Sequence, residues 1–364
     1  TRPRSYQRYL VMTESRTNRA ISISLVILAT ISVFYVLVVG KNILIPLAVA
    51  VMIWYVINAL SRSYSKLIPW IKQPNWLTTL LSLVSIALFV SFSVEIVQNN
   101  IYDVSAAAPE YKANFDVLVA NLIERYDLKA LPNINQIFEG VEIAPIITGI
   151  AGTFTNMISD ALIILIYVLF LLLEQGTFKR KIAEIFPDQT QRGSVMSILS
   201  HAQEDIQTYL WIKTVTSLLT GIVSYTILVM VGVDFAGFWA FTIFLLNFIP
   251  TIGSIIATLF PAILTLIQFD TLTPFLIVLL GVGAVQIAVG NFLEPKLMGT
   301  SLNLSPFVVM LSLTLWGSIW GIAGMILSVP ITVMMLIVFA HFQETRHFAV
   351  LLSGDGSLKV AEHK

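Results

Sequence analysis

Long apolar stretches recur along this 364-residue chain, and they constrain its fold more than any other feature. A helix needs about 20 apolar residues to cross the hydrocarbon of a bilayer. Stretches of about that length occur at 21–39, 43–60, 76–94, 154–173, 213–233, 275–293 and 322–340. Only 12% of the residues are charged, about half the share usual in a soluble domain. We therefore predict an all-α, polytopic integral membrane protein whose main solvent is lipid.

Two further apolar stretches, 236–268 and 306–320, are interrupted or short. Each half of the first has about 14 residues, roughly 21 Å of helix, which is too short to cross the membrane. The interrupting residues are Asn247, Pro250 and Gly253 in the first stretch, and Gly317 and Gly321 at the end of the second. The pattern predicts about eight membrane helices, with interrupted or re-entrant helical hairpins among them.

The distribution of lysine and arginine predicts which segments face the cytoplasm. The segment before residue 21, the loop 61–75 and the triplet 179–181 are basic, whereas 95–145 carries eight acids against three bases. We expect cytoplasmic N- and C-termini and an extracytoplasmic segment at 95–145. The predicted divisions are a tail 1–20, three helices in 21–94, the insert 95–145, a fourth helix 146–173, interfacial helices in 174–212, a core 213–340 and a tail 341–364.

Two segments outside the predicted spans have apolar side chains at helical spacing. In the insert, this pattern runs from Tyr111 to Tyr126, and Pro109 suits the first turn of a helix. The insert is therefore predicted to contain an amphipathic helix that begins near Pro109. The second segment, 195–210, precedes the span at 213 and predicts an interfacial helix on the cytoplasmic side.

Polar groups at membrane depth are costly and usually face a cavity or a partner. Pro250 disfavours helical geometry at Ile249, and Gly253 permits unusual dihedral angles. The backbone groups freed by such a break need protein or cavity water as partners. The candidate pathway residues are Asn247, Pro250, Thr251, Gly253, Ser254, Asn291, Glu294 and Lys296, and the candidate ion-coupling acids are Asp160 and Glu294. A plain hairpin tip and ordinary interfacial charges remain the alternative interpretation.

Several functional classes receive no support from the composition. Lysine plus arginine equals aspartate plus glutamate at 21 each, whereas nucleic-acid binding normally leaves a basic excess. The chain has no cysteine and four histidines, and it contains no recognisable catalytic, phosphate-binding or metal-binding motif. We predict no enzyme activity, no catalytic residues, no cofactor, no metal and no nucleic-acid partner.

Several motifs between about 200 and 340 resemble those of the autoinducer-2 exporter family, also described as PerM-like permeases. They are Tyr209-Leu-Trp-Ile-Lys213, Asn247-Phe-Ile-Pro-Thr-Ile-Gly-Ser254, Asn291-Phe-Leu-Glu-Pro-Lys-Leu-Met-Gly299 and Trp320-Gly-Ile-Ala-Gly-Met-Ile-Leu-Ser-Val-Pro330. The pattern is most similar to the branch that exports the quorum-sensing signal. The resemblance implies a bacterial inner-membrane protein that moves solute without ATP hydrolysis. It also implies a homo-oligomer, a pentamer being one expectation.

The first functional hypothesis is therefore export of autoinducer-2 or a similar small polar solute across the lipid bilayer. Asn247 and Thr251 would hydrogen-bond the solute, Pro250 and Gly253 would shape the break, and Glu294 would act as a gate or proton-coupling group. The second hypothesis is sodium (or lithium)–proton antiport through Asp160 or Glu294, with a monovalent cation as the transported species. A third is a membrane scaffold whose insert binds a partner.

Overall fold

The computed structural model describes residues 21, 24–67, 75–125, 143–269, 271–299 and 302–358. These residues form helices, connecting turns and one isolated bridge between Leu304 and Ser353. In chain order the helices are α1 (Ser24–Val39), α2 (Lys41–Leu67), α3 (Asn75–Arg125), α4 (Ile143–Ile185), α5 (Gln189–Val231), α6 (Ala236–Leu246), α7 (Ile252–Gln268), α8 (Leu272–Ala288), α9 (Glu294–Met298), α10 (Pro306–His341) and α11 (Arg346–Leu352). A π-helical segment, Val289–Leu293, joins α8 to α9.

Six helical segments among the described residues are long and apolar enough to cross a membrane. They are Lys41–Lys66, Trp76–Ile96, Asp160–Ile185, Gln189–Val231, Leu272–Met298 and Pro306–His341. Three shorter apolar helices, α1, α6 and α7, accompany them. The all-helical, polytopic membrane fold with interrupted helices is confirmed. The predicted tail 1–20 and residues 126–142 of the predicted insert lie outside the described residues.

Helix α3 is one continuous helix of 51 residues, about 76 Å long at 1.5 Å per residue. It continues beyond the apolar span and contains Pro109 in its interior. The prediction that a new helix begins near Pro109 is therefore wrong. Three alanines, Ala106–Ala108, precede the proline, and alanine has the highest helix propensity, which favours continuation up to this point.

The predicted interfacial helix at 195–210 and the predicted span at 213–233 also form a single helix, α5. Asp188 caps its start, accepting hydrogen bonds from the backbone N–H groups of Thr190 and Gln191. Gly232, with φ 80°, ends it in the left-handed conformation. Residues 195–210 are therefore helical, but the predicted boundary before residue 213 is wrong: the sequence offers no Pro or cap between the two segments, so the helix runs on. Its location at the membrane interface stays a prediction.

Helices α6 and α7 form a hairpin whose turn, 247–251, is the break predicted from Pro250. The hairpin packs against α5 at Gly221, where an added Cβ would lie 3.2 Å from the carbonyl oxygen of Ala240. A core of apolar residues from α5 to α8, including Leu228, Ile243 and Val282, holds the hairpin in place.

Helix α10 contains a second break, at Gly321, whose φ of 61° and ψ of −141° interrupt the helix. Its two halves fold back on each other: the Ser312 hydroxyl, before the break, donates a hydrogen bond to the Ser328 carbonyl, after it, at 3.0 Å. Trp320 beside the break is buried and donates its Nε1–H to the Leu37 carbonyl of α1 at 3.0 Å. This tryptophan therefore packs inside the protein and holds the tip of the second hairpin against α1.

Candidate functional site

A cavity of about 1060 Å³ lies among the broken helices. Its wall is formed by the turn of the first hairpin, α5, the end of α8 with the π-helical segment, the start of α10 and the C-terminal segment after α11. Of the sequence-predicted pathway residues, the structure brings six to this wall: Asn247, Pro250, Thr251, Ser254, Asn291 and Glu294. The two segments that supply them are about 40 residues apart in sequence, so the tertiary fold brings them together.

Three predicted residues do not line the cavity. Gly253 is buried beneath the hairpin turn, whereas Lys296 and Asp160 have exposed side chains, Lys296 on the short helix α9 and Asp160 on α4. A role of Lys296 or Asp160 in transport remains a prediction that rests on the sequence.

The hairpin turn combines a strained residue with a tightly packed glycine. Thr251 has φ 57° and ψ −60°, a conformation that costs a non-glycine residue on the order of 1–3 kcal/mol. Gly253 lies just inside α7, where an added Cβ would be 1.8 Å from the carbonyl oxygen of Leu246. The unusual dihedral angles thus fall on Thr251, and Gly253 is needed for close packing instead.

A side-chain hydrogen bond joins the turn of the hairpin to α5. Asn247 is 5% exposed, and its Nδ2 donates to the Ser217 hydroxyl at 3.1 Å. Ser217 itself is fully buried. Because both groups are withdrawn from water, each would be left unsatisfied without the other, at a cost of about 1–3 kcal/mol per group. This bond holds the turn against the middle of α5.

The π-helical segment Val289–Leu293 places Asn291 at the cavity wall. Pro295 explains the local geometry, because proline lacks the N–H that would bond to the carbonyl of Asn291 in an α-helix, and its ring crowds that carbonyl. Widening to an i to i+5 pattern relieves the crowding, and the Glu294 N–H bonds to the carbonyl of Val289. Single π-helical turns of this kind are frequent at functional sites.

Glu294 forms a buried ion pair with Lys213 at the cavity wall. The Lys213 Nζ lies 2.7 Å from Oε1 and 2.9 Å from Oε2 of Glu294, and the two side chains are 7% and 15% exposed. Lys213 is the main functional candidate that the sequence analysis did not select. Its position at the start of a predicted span is typical of a lysine that extends toward the interface, and its partner is 81 residues away in sequence.

Two further wall residues are buried and have polar atoms without a hydrogen-bond partner among the described residues. They are Tyr209, through its hydroxyl, and Gln286, through Nε2. Buried polar atoms are normally paired, so these two donors mark the wall as a place where a bound solute or water can be accommodated.

The C-terminal segment after α11 completes the wall. Asn303 donates its side-chain amide to the Asp355 carboxylate at 2.8 Å and to the Ser357 carbonyl at 2.7 Å. The Ser357 hydroxyl, the Asn303 amide and the Ser357 backbone N–H hold the pKa of Asp355 below its ordinary value. Among the described residues, no group of three or more His, Asp or Glu side chains is arranged to bind a metal ion.

A second polar contact connects the extension of α3 to the turn that precedes the first hairpin. The Tyr111 hydroxyl donates to the Asp234 carboxylate at 2.8 Å, and Tyr111 is 4% exposed. Burial, followed by this hydrogen bond and the carboxylate charge, raises the pKa of Tyr111. Gln268, at the end of α7, bonds both to the Asp234 N–H and to the Gly232 carbonyl, so the start and the end of the hairpin are joined.

Comparison with known proteins gives a family match over most of the chain. A sequence model described as "AI-2E family transporter" matches residues 10–344. A "Putative transport protein" of Haemophilus influenzae is 34% identical over 296 residues, which cover 78% of this chain and 83% of that protein. The "AI-2 transport protein TqsA" of Escherichia coli is 35% identical over 208 residues, which cover 57% of this chain and 59% of that protein.

Proposed function

The chain belongs to the AI-2E family of transporters, and we propose that it carries a small, neutral, hydroxylated solute across the bacterial inner membrane through the cavity described above. Within this class, autoinducer-2 is the solute that we propose. The observation that carries the proposal is the shared cavity wall, where a broken hairpin and a π-helical segment present amide and hydroxyl groups around an ion pair.

The chemistry of the wall supports a neutral solute. Asn247, Thr251, Ser254 and Asn291 offer hydrogen-bond donors and acceptors without net charge. Lys213 and Glu294 compensate each other, because one ammonium group contacts both carboxylate oxygens. A solute rich in hydroxyl groups could exchange its water contacts for these groups, whereas an apolar solute would leave them unsatisfied at about 1–3 kcal/mol each.

The similarity to TqsA supports autoinducer-2 as the specific solute. That relative is named as an AI-2 transport protein. The matched 208 residues cover about three fifths of each protein, so the shared segment supports a common transport function more strongly than a common substrate. The substrate therefore has to be measured.

Sodium–proton antiport is the weaker alternative. Exchange of a proton for a cation requires a carboxylate that can release its partner within the membrane. Glu294 is the candidate coupling acid that lines the cavity, and its carboxylate is already in contact with the Lys213 ammonium. Antiport through Glu294 would require this contact to open in each cycle.

The test uses purified protein in sealed liposomes with labelled autoinducer-2 on one side, with and without a proton gradient. We expect saturable flux, reduced roughly tenfold or more by Asn247→Leu, since leaving the buried Ser217 hydroxyl without its partner costs about 1–3 kcal/mol. Pro250→Ala should also lower the flux by reshaping the turn. Asn58→Leu is the matched control, because Asn58 lies on α2, is not part of the cavity wall and donates a hydrogen bond to the Trp54 carbonyl of its own helix.

Two outcomes would contradict the proposal. Flux no higher than in empty liposomes, together with sodium-dependent proton movement, would favour the antiporter. Equal loss of flux in Asn247→Leu and Asn58→Leu would mean that the cavity is not the pathway. We further propose that both termini are cytoplasmic. We also propose that the protein is a homo-oligomer, and crosslinking in native membranes would test this association.

A further inference from the structure

The C-terminal segment Ser353–Ser357 lies against the connection between α9 and α10. The Gly354 N–H bonds to the Asn303 carbonyl at 3.0 Å, and the Ser305 N–H bonds to the Leu352 carbonyl at 3.0 Å. These backbone bonds are accompanied by the bridge between Leu304 and Ser353. The segment is therefore fixed at the edge of the cavity by main-chain hydrogen bonds as well as by side chains.

Asp355 is the charged residue that this arrangement presents to the cavity. Its carboxylate accepts hydrogen bonds from the Asn303 amide at 2.8 Å and from the Ser357 backbone N–H at 2.9 Å. Asn303 adopts φ 38°, a left-handed conformation that is uncommon for a residue other than glycine. The strained Asn303 backbone accompanies an amide that contacts both Asp355 and Ser357, and the carboxylate is held in one orientation.

The charges of the described cavity wall do not cancel. Lys213, Glu294 and Asp355 are the ionisable acids and bases among the described wall residues, and Lys213 pairs with Glu294. Asp355 is exposed, and its partners are the neutral groups of Asn303 and Ser357. The described residues thus leave one negative charge at the edge of the cavity. An aspartate is ionised at neutral pH, and the hydrogen bonds that lower the pKa of Asp355 act in the same direction.

We infer that Asp355 sets the charge preference of the cavity, so that small neutral and cationic solutes enter it more readily than anionic solutes. The inference rests on the proposed function for its consequence in transport. Its physical basis is electrostatic: a unit charge about 7 Å away in water changes the local concentration of a monovalent solute by roughly threefold. Opposite effects on cations and anions give a ratio of roughly sevenfold.

Access to the cavity can be measured without any transport. The chain has no cysteine, so Ser254→Cys introduces a single thiol at the cavity wall. Its reaction rates with a trimethylammonium thiosulfonate and a sulfonate thiosulfonate of similar size report entry of a cation and of an anion. The ratio of these rates, measured in the full-length protein in nanodiscs at low salt, is compared with that of a free thiol.

With Asp355 present, we expect the cationic reagent to be favoured relative to the free thiol, by up to roughly sevenfold for a path that passes about 7 Å from the carboxylate. Asp355→Asn should remove this preference, and Asp355→Lys should reverse it. Glu344→Gln is the matched control, because Glu344 is an exposed acid near α11 that does not line the cavity. At about 1 M salt, where the screening length is roughly 3 Å, the preference should disappear.

Asn303→Ala provides an independent variant, because it leaves the charge of Asp355 but removes the amide that orients it. We expect an intermediate ratio. An unchanged ratio in Asp355→Asn, an equal rise of both rates, or no reaction of the Ser254→Cys thiol with either reagent would overturn the inference. A normal ratio shift combined with absent autoinducer-2 flux would instead contradict only the proposed function.

Discussion

The ion pair between Lys213 and Glu294 gives the sharpest energetic prediction. The Lys213 side chain is 7% exposed and the Glu294 side chain 15%, and the ammonium nitrogen lies 2.7 and 2.9 Å from the two carboxylate oxygens. Removing one partner of a buried pair leaves an uncompensated charge and costs about 3–5 kcal/mol. We therefore expect Lys213→Met and Glu294→Gln each to lower the free energy of unfolding by roughly that amount.

The double variant measures how far the stability effects of the two substitutions depend on each other. Replacing both charged groups by neutral ones of similar size is often close to neutral in stability. The Lys213→Met, Glu294→Gln variant should therefore be more stable than either single variant, with a coupling of about 2 kcal/mol or more between the two substitutions. The measurement is unfolding by sodium dodecyl sulfate in mixed micelles, followed by circular dichroism.

A matched control is the exposed pair of Lys181 and Glu174 on α4. The Lys181 and Glu174 side chains are 60% and 49% exposed, and surface ion pairs contribute about 0–1 kcal/mol. Lys181→Met should therefore be close to wild type in stability. If the double variant at the cavity loses the full sum of the two single losses, the two groups do not depend on each other and the reasoning is refuted.

Two further predictions concern the hairpin and the extension of α3. Gly253→Ala should destabilise the protein by about 1–3 kcal/mol and abolish flux, because its Cβ would overlap the Leu246 carbonyl. Gly237→Ala, which meets open space, should be tolerated in both assays. Tyr111 lies beyond the apolar span and has a raised pKa in the folded protein. The contribution of Tyr111 to stability should therefore be complete below about pH 10, the pKa of an unfolded tyrosine. It should be lost progressively as the pH rises from there through the higher pKa of the folded protein. Tyr111→Phe, which cannot bond to Asp234, should remove this alkaline dependence from the unfolding free energy.

The broken helices could be predicted from the sequence because their causes are local. Pro250 removes a backbone donor in the middle of an apolar stretch, and each half of that stretch is too short to cross the membrane. The structure has a hairpin turn there. Proline alone is not sufficient, because α3 continues through Pro109. At residue 250 the prediction also used the short apolar halves and the neighbouring Gly253. The π-helical turn before Pro295 was not predicted.

The ion pair and the C-terminal part of the wall could not be predicted in the same way. Lys213 and Glu294 are 81 residues apart, and Asn303 and Asp355 are 52 apart. A single lysine at the edge of an apolar stretch has the same sequence signature whether it extends to the interface or pairs within the protein. Only the packing of α5 against α9 distinguishes the two cases. The predicted helix boundaries at Pro109 and near residue 212 were wrong for a related reason. Favourable helix propensity on both sides outweighed the expected break, and both helices continue.

Helix α5 connects the two broken elements of the cavity, and it does so through contacts of unequal strength. Ser217 holds the hairpin turn by a neutral hydrogen bond from Asn247 at 3.1 Å, which contributes about 0.5–1.5 kcal/mol. Lys213, one helical turn away, holds Glu294 by a buried ion pair whose disruption costs about 3–5 kcal/mol. Because the same unbroken helix carries both attachments, α5 fixes the hairpin turn and Glu294 relative to each other on the cavity wall.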